Sequence, residues 1–407
     1  MWQSNYSVTL SCAPEARPAR AGDAVRRPLR SAVSSLAAVV AGVVLAAQPV
    51  GALAEDITLG VIAGITGLGA SYGRGIVQGA EMAVRDVNAA GGIDGRKLKL
   101  LVADGASQPA RSTLAMRRLV AADVALVVGG WGSPQVLANL DVAEQAGIPY
   151  IVVGATHPGI TSKKNRWTFR VIQTDSVMAD QLAGIALGWL AATRIAVFND
   201  SNDYGAANRD VFIAALARRG VSPVEIQSYQ TADRNFTSQL QRLRAANPDS
   251  IALFGTVPAA PEIMKQAREL GIKARFLGTG GLANEALISS APLASAGTIL
   301  MTHFSEEVDA EAQAWADRYR REFTRRHEVP RPVLAAWEYR AIRYIAAPCL
   351  QRAGPDRDRL RECIAAWRGK LPGVANEAHF DEAGQLVQPP LAVEVRDGAF
   401  RLFRTAP

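Results

Sequence analysis

Hydrophobic and polar positions follow a recurring unit along this chain. A short apolar run leads into a loop of small residues, then a stretch with apolar positions every three or four residues, then a glycine. The unit is plainest from 124 to 161. Val124 to Gly129 is apolar and ends in a glycine-rich loop holding Trp131 and Ser133. Pro134 opens a helical stretch that stops at Gly147, and a second apolar run, Ile148 to Val153, ends in Gly154-Ala155-Thr156. The pattern predicts strand, loop, helix, strand, loop. In a parallel sheet both loops leave the carboxyl ends of strands, where open α/β sheets bind ligands. Two loops rich in amide and hydroxyl groups are therefore expected side by side, holding one end of a small molecule. A carboxylate is the expected group.

The same reading extends over the chain. Ile57 to Ala63 is a predicted strand, followed by a glycine-rich loop to Tyr72-Gly73 and a helix with Ile76, Val77, Ala80, Ala83, Val84 and Val87 on one face. Gly91-Gly92 ends it. Leu98 to Ala103 is the second strand, with Asp104 at its end, and Ser107 and Pro109 start a helix through Val120. From Arg194 the pattern restarts. Strands are predicted at Ile195–Phe198, Val224–Tyr229, Ile251–Phe254 and Ala274–Leu277, with helices ending at Gly220, Ala246 and Gly271 between them. Tyr204-Gly205 answers Tyr72-Gly73, Gly220 answers Gly91, Gly255 answers Gly130, and Gly271-Ile272 answers Gly147-Ile148. This is an internal repeat of about 130 residues. Alternating strands and helices imply parallel sheets covered on both faces, hence two similar lobes with a ligand cleft between them.

The tail departs from the unit. Gly297–Met301 reads as a strand, and Glu311–Arg326, Val333–Cys349 and Arg357–Arg368 as helices. Phe380 to Gly384 is a turn, and Leu391–Val395 with Ala399–Phe403 is a hairpin around Asp397-Gly398. The helices are expected to return to the first lobe and the hairpin to the second. Three crossings make a hinge that can close around a ligand.

Length and composition sharpen this picture. The 407 residues suit two domains, and 49% apolar with 20% charged residues is ordinary for a globular protein. The net charge of +7 falls to +4 once residues 1–54 are set aside. No basic stripe with interleaved aromatics stands out, which argues against nucleic-acid binding. Residues 26–54 read as an export signal: Arg26, Arg27 and Arg30, the apolar run Ser31–Ala47, and the small-x-small site Ala52-Leu53-Ala54. Residues 1–24 are read as an upstream extension from start-site assignment, with Val25 as the initiator. The alternative is a retained membrane anchor, against which the shortness of the run counts. Cys349 and Cys363 flank a Gly-Pro-Asp break; they either staple two helices in an oxidising compartment or remain separate thiols.

The residues from Ile57 onward resemble a known family, the type I periplasmic solute-binding proteins of ABC importers, of the Leu/Ile/Val-binding kind. The resemblance rests on Ile57-Thr58-Leu59-Gly60-Val61, Tyr72-Gly73, Gly79-Ala80-Glu81, Asn88 through Ile93, Gly95-Arg96-Lys97-Leu98, Asp104, Gly147-Ile148-Pro149, Asp203-Tyr204-Gly205, Gln266-Ala267 and Gly271. It covers residues 56 to 405. It implies an α/β fold of two Rossmann-like lobes with parallel sheets joined by a three-strand hinge (periplasmic binding protein-like I). On that fold, lobe 1 is expected from 55–173 plus 302–385 and lobe 2 from 174–301 plus 386–407, after the signal at 1–54. It also implies a periplasmic monomer that delivers its ligand to ABC permease subunits of the inner membrane, without a cofactor. A sensor feeding a membrane receptor would have the same fold.

The family pattern carries over residue by residue. Ser133 and the loop Gly154-Ala155-Thr156 are implied to bind the ligand carboxylate. Ser133 also reads as a helix N-cap with Pro134 at the next position, which independently favours an anion there. Tyr204 is implied to pack over the ligand and close the cleft, with Tyr72 similarly placed on lobe 1 and Trp131 on the pocket wall. One departure matters: Gly280 stands where amino-acid binders have an acidic residue for the ligand ammonium, and Thr256 replaces a family tyrosine. Either Asp203 or Glu285 supplies the missing charge, or the ligand lacks an α-amino group. The second alternative is preferred here, because an unpaired buried ammonium is costly.

Other chemistries find little support. The glycine loop at 64–73 does not fit G-x-G-x-x-G, since Gly73 falls one residue late. His157, His303, His327 and His379 are scattered, without metal-ligand spacing, and Gly130-Trp131-Gly132-Ser133-Pro134 is not a nucleophile elbow. His157, beside Thr156, is either a ligand contact or a loop surface group. Neither a metal site nor catalysis is expected.

Overall fold

Apolar runs buried on both faces set the frame. In the computed structural model, which describes residues 55–162, 165–257, 259–323, 332–374 and 376–403, five strands form the first sheet. They are β1 (Ile57–Ala63), β2 (Leu98–Asp104), β3 (Val127–Gly129), β4 (Tyr150–Val152) and β5 (Thr168–Arg170), in the order β2-β1-β3-β4-β5. All are parallel. Every residue of β3, β4 and β5 is buried, whereas the edge strand β2 is partly exposed. Helices cover the inner strands on both faces.

The second sheet repeats the first. Strands β6 (Ile195–Asp200), β7 (Glu225–Tyr229), β8 (Ser250–Phe254), β9 (Arg275–Gly278) and β10 (Ile299–Thr302) lie in the order β7-β6-β8-β9-β10, the same winding. The repeat extends to atomic packing. A Cβ on Gly73 would sit 2.2 Å from the Gly64 carbonyl oxygen, and one on Gly205 would sit 2.1 Å from that of Asp200. In both halves only glycine lets the helix after the first strand approach the strand end so closely.

The tail serves both sheets. A small antiparallel sheet of β11 (Arg368–Gly369), β12 (Ala378–Phe380) and β13 (Leu386–Val387) touches β5 through a bridge between Arg170 and Gln385. Strand β14 (Leu391–Arg396) then adds antiparallel to β10, and β15 (Ala399–Leu402) antiparallel to β14. The tail helices Ala310–Phe323 and Pro332–Arg340 pack on the helix Ala70–Ala89. Arg318 Nη1 and the Tyr339 hydroxyl both donate to Asp86, at 2.8 and 2.7 Å, and the Tyr319 hydroxyl donates to Gln78 at 2.6 Å.

Several elements differ from the sequence-based expectation. The continuous helix expected over Val333–Cys349 is interrupted by a π-helical segment, Ala341–Ala346. The reason is Pro348, which has no N–H to give the Tyr344 carbonyl. The Trp367 indole N–H fills that place at 2.8 Å. The last helix stops at Ala365, because Arg368 pairs with His379 in the small sheet. The stretch 163–192, to which the sequence reading assigns no element, holds β5, the helix Asp175–Gly184 and a π-helical turn at Ile185–Trp189. Cys349 and Cys363 form a disulfide between the helices Ala347–Ala353 and Arg357–Ala365, with 5.5 Å between their Cα atoms. The expected export signal, the extension before it and the Arg326 end of a predicted helix lie outside the described residues. Among the described residues no helix is long and apolar enough to cross a membrane.

Candidate functional site

The carboxyl ends of both sheets open onto one cavity of about 350 Å³. Loops after β1, β3 and β4 supply one wall, through Tyr72, Trp131, Ser133, Gly154 and Thr156. Loops after β6, β8 and β9 supply the other, through Tyr204, Thr256 and Gly280. Eight of the nine residues singled out from sequence thus line one space. Ala155 does not: it is fully buried behind the loop, with its carbonyl oxygen 3.4 Å from Arg170 Nη1.

Ser133 does not cap its helix as expected. Gly132 holds that position in extended conformation, and the helix begins at Ser133 itself. The Ser133 hydroxyl instead accepts the His157 amide at 3.3 Å, tying the two loops together. With a lone pair so engaged, its own proton remains free to donate. The Thr156 hydroxyl is buried without a partner. His157 is not on the cavity wall, and its Nδ1 accepts the Gly159 amide at 2.9 Å. It is a loop-shaping residue in this structure.

Behind this loop lies Arg170, a fully buried cation. It donates to the His157 carbonyl at 2.7 Å, Thr161 Oγ1 at 2.8 Å and Gln385 Oε1 at 2.7 Å. The Asp175 amide donates to the Thr156 carbonyl at 3.0 Å. The carbonyls of Thr156 and His157 are therefore held by groups outside the cavity. Burial lowers the Arg170 pKa to about 10, with Asp175 and Asp381 pulling it back, so it stays charged at neutral pH. Burial pushes the Asp175 carboxyl up to about 7. The Thr156 and Asn208 side chains and Arg170 oppose that rise, although neither Asp175 oxygen reaches hydrogen-bonding geometry.

The aromatic wall is built by close approach. Tyr72 and Trp131 stack with centroids 4.2 Å apart and planes 4° from parallel. A Cβ on Gly69 would fall 2.0 Å from Trp131 Cζ2, so glycine admits the indole. The Tyr72 hydroxyl crosses to the second sheet's loops, donating to the Gly281 carbonyl at 2.7 Å and accepting the Val257 amide at 2.9 Å. Tyr204 stays within its own half: its hydroxyl meets Thr279 Oγ1 at 2.9 Å and accepts the Gly281 amide at 3.0 Å. Of the two hydroxyls, that of Tyr72 makes the contact across the cleft.

No Asp, Glu, Lys or Arg lines the cavity among the described residues. Asp203 is exposed at the start of its helix, and Glu285 lines a separate cavity near Arg320. Neither supplies the charge that Gly280 lacks. Sequence reasoning missed His303, Leu334 and Trp337 on the wall. His303 directly follows β10, and the rule that sites form at strand carboxyl ends would have flagged it. Leu334 and Trp337 come from a tail helix, where local pattern carries no such signal. Among the described residues no cluster of three or more His, Cys, Asp or Glu is placed to hold a metal ion.

Comparison with known proteins agrees with this geometry. The family described as periplasmic binding protein matches residues 56–399. An amino acid binding protein of Pseudomonas aeruginosa is 32% identical over 237 residues, 58% of this chain and 63% of that relative. The chain thus spans somewhat under two thirds of the length of that relative. The substrate-binding protein LivJ of Streptococcus pneumoniae, solved with isoleucine, superimposes with a TM-score of 0.77 at 25% identity, covering 85% of this chain and 97% of that one. A solute-binding protein of R. palustris, solved with benzoate, also gives 0.77, at 20% identity and covering 85% and 95%.

Proposed function

Because the chain belongs to the periplasmic binding protein family, we propose that it is the substrate-binding component of an ABC importer, capturing a small carboxylate in the cleft between its two lobes. The observation that carries this reading is the cavity wall. It offers the Ser133 and Thr156 hydroxyls, stacked aromatic rings and no charged side chain. Hydroxyls next to a loop backed by a buried arginine suit an anion. The absence of an acid disfavours an ammonium, since a buried ammonium without a counter-charge is costly. One fold holds isoleucine in one relative and benzoate in another. The lining of this chain favours the second kind of ligand, a carboxylate without an α-amino group.

Family membership supports the remaining parts of the reading. The chain acts in the periplasm as a monomer, exported by the segment before residue 55, and presents its ligand to permease subunits. Lobe 1 comprises 55–173 and 302–385, and lobe 2 comprises 174–301 and 386–407, with closure about the three connecting segments.

The test is a thermal-shift and calorimetric screen of leucine, 4-methyl-2-oxopentanoate and benzoate. A true ligand raises the melting temperature by mass action. Amino-free carboxylates are expected to bind. Tight leucine binding without any response to the other two would overturn the amino-free assignment.

A further inference from the structure

Next to Gly280, the cavity wall carries a buried imidazole with one nitrogen unaccounted for. His303 is only 2% exposed, and its Nε2 has no hydrogen-bond partner. A Cβ on Gly280 would lie 3.6 Å from that Nε2, an ordinary contact distance, so a side chain at 280 would pack against the nitrogen where glycine does not. The Trp337 ring packs edge-to-face on the imidazole, with centroids 5.1 Å apart, and fixes its tilt.

The other ring nitrogen decides what Nε2 can do. The Gln173 backbone N–H points at His303 Nδ1 from 3.2 Å. A backbone amide can only donate, so Nδ1 must be bare. A neutral imidazole carries one proton, which then sits on Nε2. The Gln173 side-chain oxygen lies 3.1 Å from the same Nδ1, while its Nε2 is unpartnered. With the two amide atoms exchanged, which are assigned from the network, the side chain also turns an N–H toward Nδ1, and the two donors share the one lone pair of a bare Nδ1. Burial, with Arg340 and Arg170 adding to it, pushes the His303 pKa down to about 3, so the ring is a neutral donor.

We propose that His303 Nε2–H is the specificity-determining donor of the cavity, selecting carboxylates that carry a second oxygen acceptor (an oxo or hydroxyl group) beside Gly280. This rests on the carboxylate reading above and adds the chemistry of the ligand's other polar group. A donor facing that space repels an ammonium and gains nothing from a purely hydrocarbon tail. It gains a hydrogen bond from an oxygen lone pair. Leaving a buried donor unpaired in the bound state is what penalises the analogue lacking the oxygen.

The experiment measures affinities for matched pairs: 4-methyl-2-oxopentanoate against 4-methylpentanoate, and 4-hydroxybenzoate against benzoate. The oxygen-bearing member of at least one pair is expected to bind about tenfold tighter, or more. In His303→Leu that advantage should fall below about threefold. His303→Gln, which keeps an N–H donor, should restore part of it. Nitrogen NMR of the unmodified protein should show the proton on Nε2, a readout that needs no variant to fold. A proton on Nδ1, or equal affinities within both pairs, would overturn the proposal. If no carboxylate binds at all, the failure lies with the carboxylate reading instead.

Discussion

The Tyr72 hydroxyl and the Gly281 carbonyl, 209 positions apart in sequence, meet at 2.7 Å across the cleft. The same hydroxyl accepts the Val257 amide, so one oxygen joins a helix over the first sheet to two loops of the second. Its ring is held by the stack on Trp131. Closure is thereby written into residues that also line the cavity.

Tyr72→Phe keeps the stack and removes both hydrogen bonds. Each is worth about 1 kcal/mol net, so ligand affinity should fall about five- to thirty-fold. The fold should survive. Small-angle scattering should show a larger radius of gyration in the variant without added ligand; an unchanged radius and affinity would remove the latch.

Ser133→Ala deletes a hydroxyl that accepts the His157 amide and whose proton remains available. Carboxylate affinity should drop about tenfold or more, because hydrogen bonds to charged groups are worth about 1.5–3 kcal/mol. Calorimetry with benzoate and 4-methyl-2-oxopentanoate measures it. Full affinity in the variant would take Ser133 out of the site.

Asp175 makes stability depend on pH with a definite sign. Its carboxyl rises from 3.8 to about 7 in the folded chain, so the folded state holds the proton more tightly than the unfolded state. That contribution is fully present below 3.8 and is lost as pH rises through about 7. The loss is at most about 4 kcal/mol, spread over that window. Asp175→Asn removes the titration. Its melting temperature relative to the unmodified protein should be higher at pH 8 than at pH 4; a constant offset would show that Arg170 keeps the carboxylate charged instead.

Cys363→Ser opens the bridge to Cys349, neither of which lines the cavity. The expected cost is about 2–4 kcal/mol, seen as a lower melting temperature, with ligand affinity unchanged. A reductant should do the same to the unmodified protein. A shift in affinity would mean the bridged helices reach the site.

Much of the site was legible in sequence because the repeat is local. Strand, small-residue loop and helix follow one another within about 25 residues, so Ser133, Gly154, Thr156 and Tyr204 announce themselves. What sequence hides is contact at a distance. Trp337 reaches the cavity from a helix two hundred residues past the Trp131 loop, roughly counted. His303 reads as one scattered histidine until Gln173 is placed against its ring. Arg170, inside the short strand β5, looks like a break in an apolar run, and only its buried donors to His157 and Thr161 explain it. The π-helical turn at Ala341–Ala346 likewise needs Trp367, which local pattern does not connect to Pro348.

The uncharged cavity wall has a kinetic consequence. Residues 55–407 carry a net charge of only +4, and among the described residues no side-chain charge lines the cavity to focus it. At about 0.15 M salt, charges beyond about 8 Å are largely screened. An anionic ligand therefore arrives by diffusion with little electrostatic pull. Its association rate should change little with ionic strength.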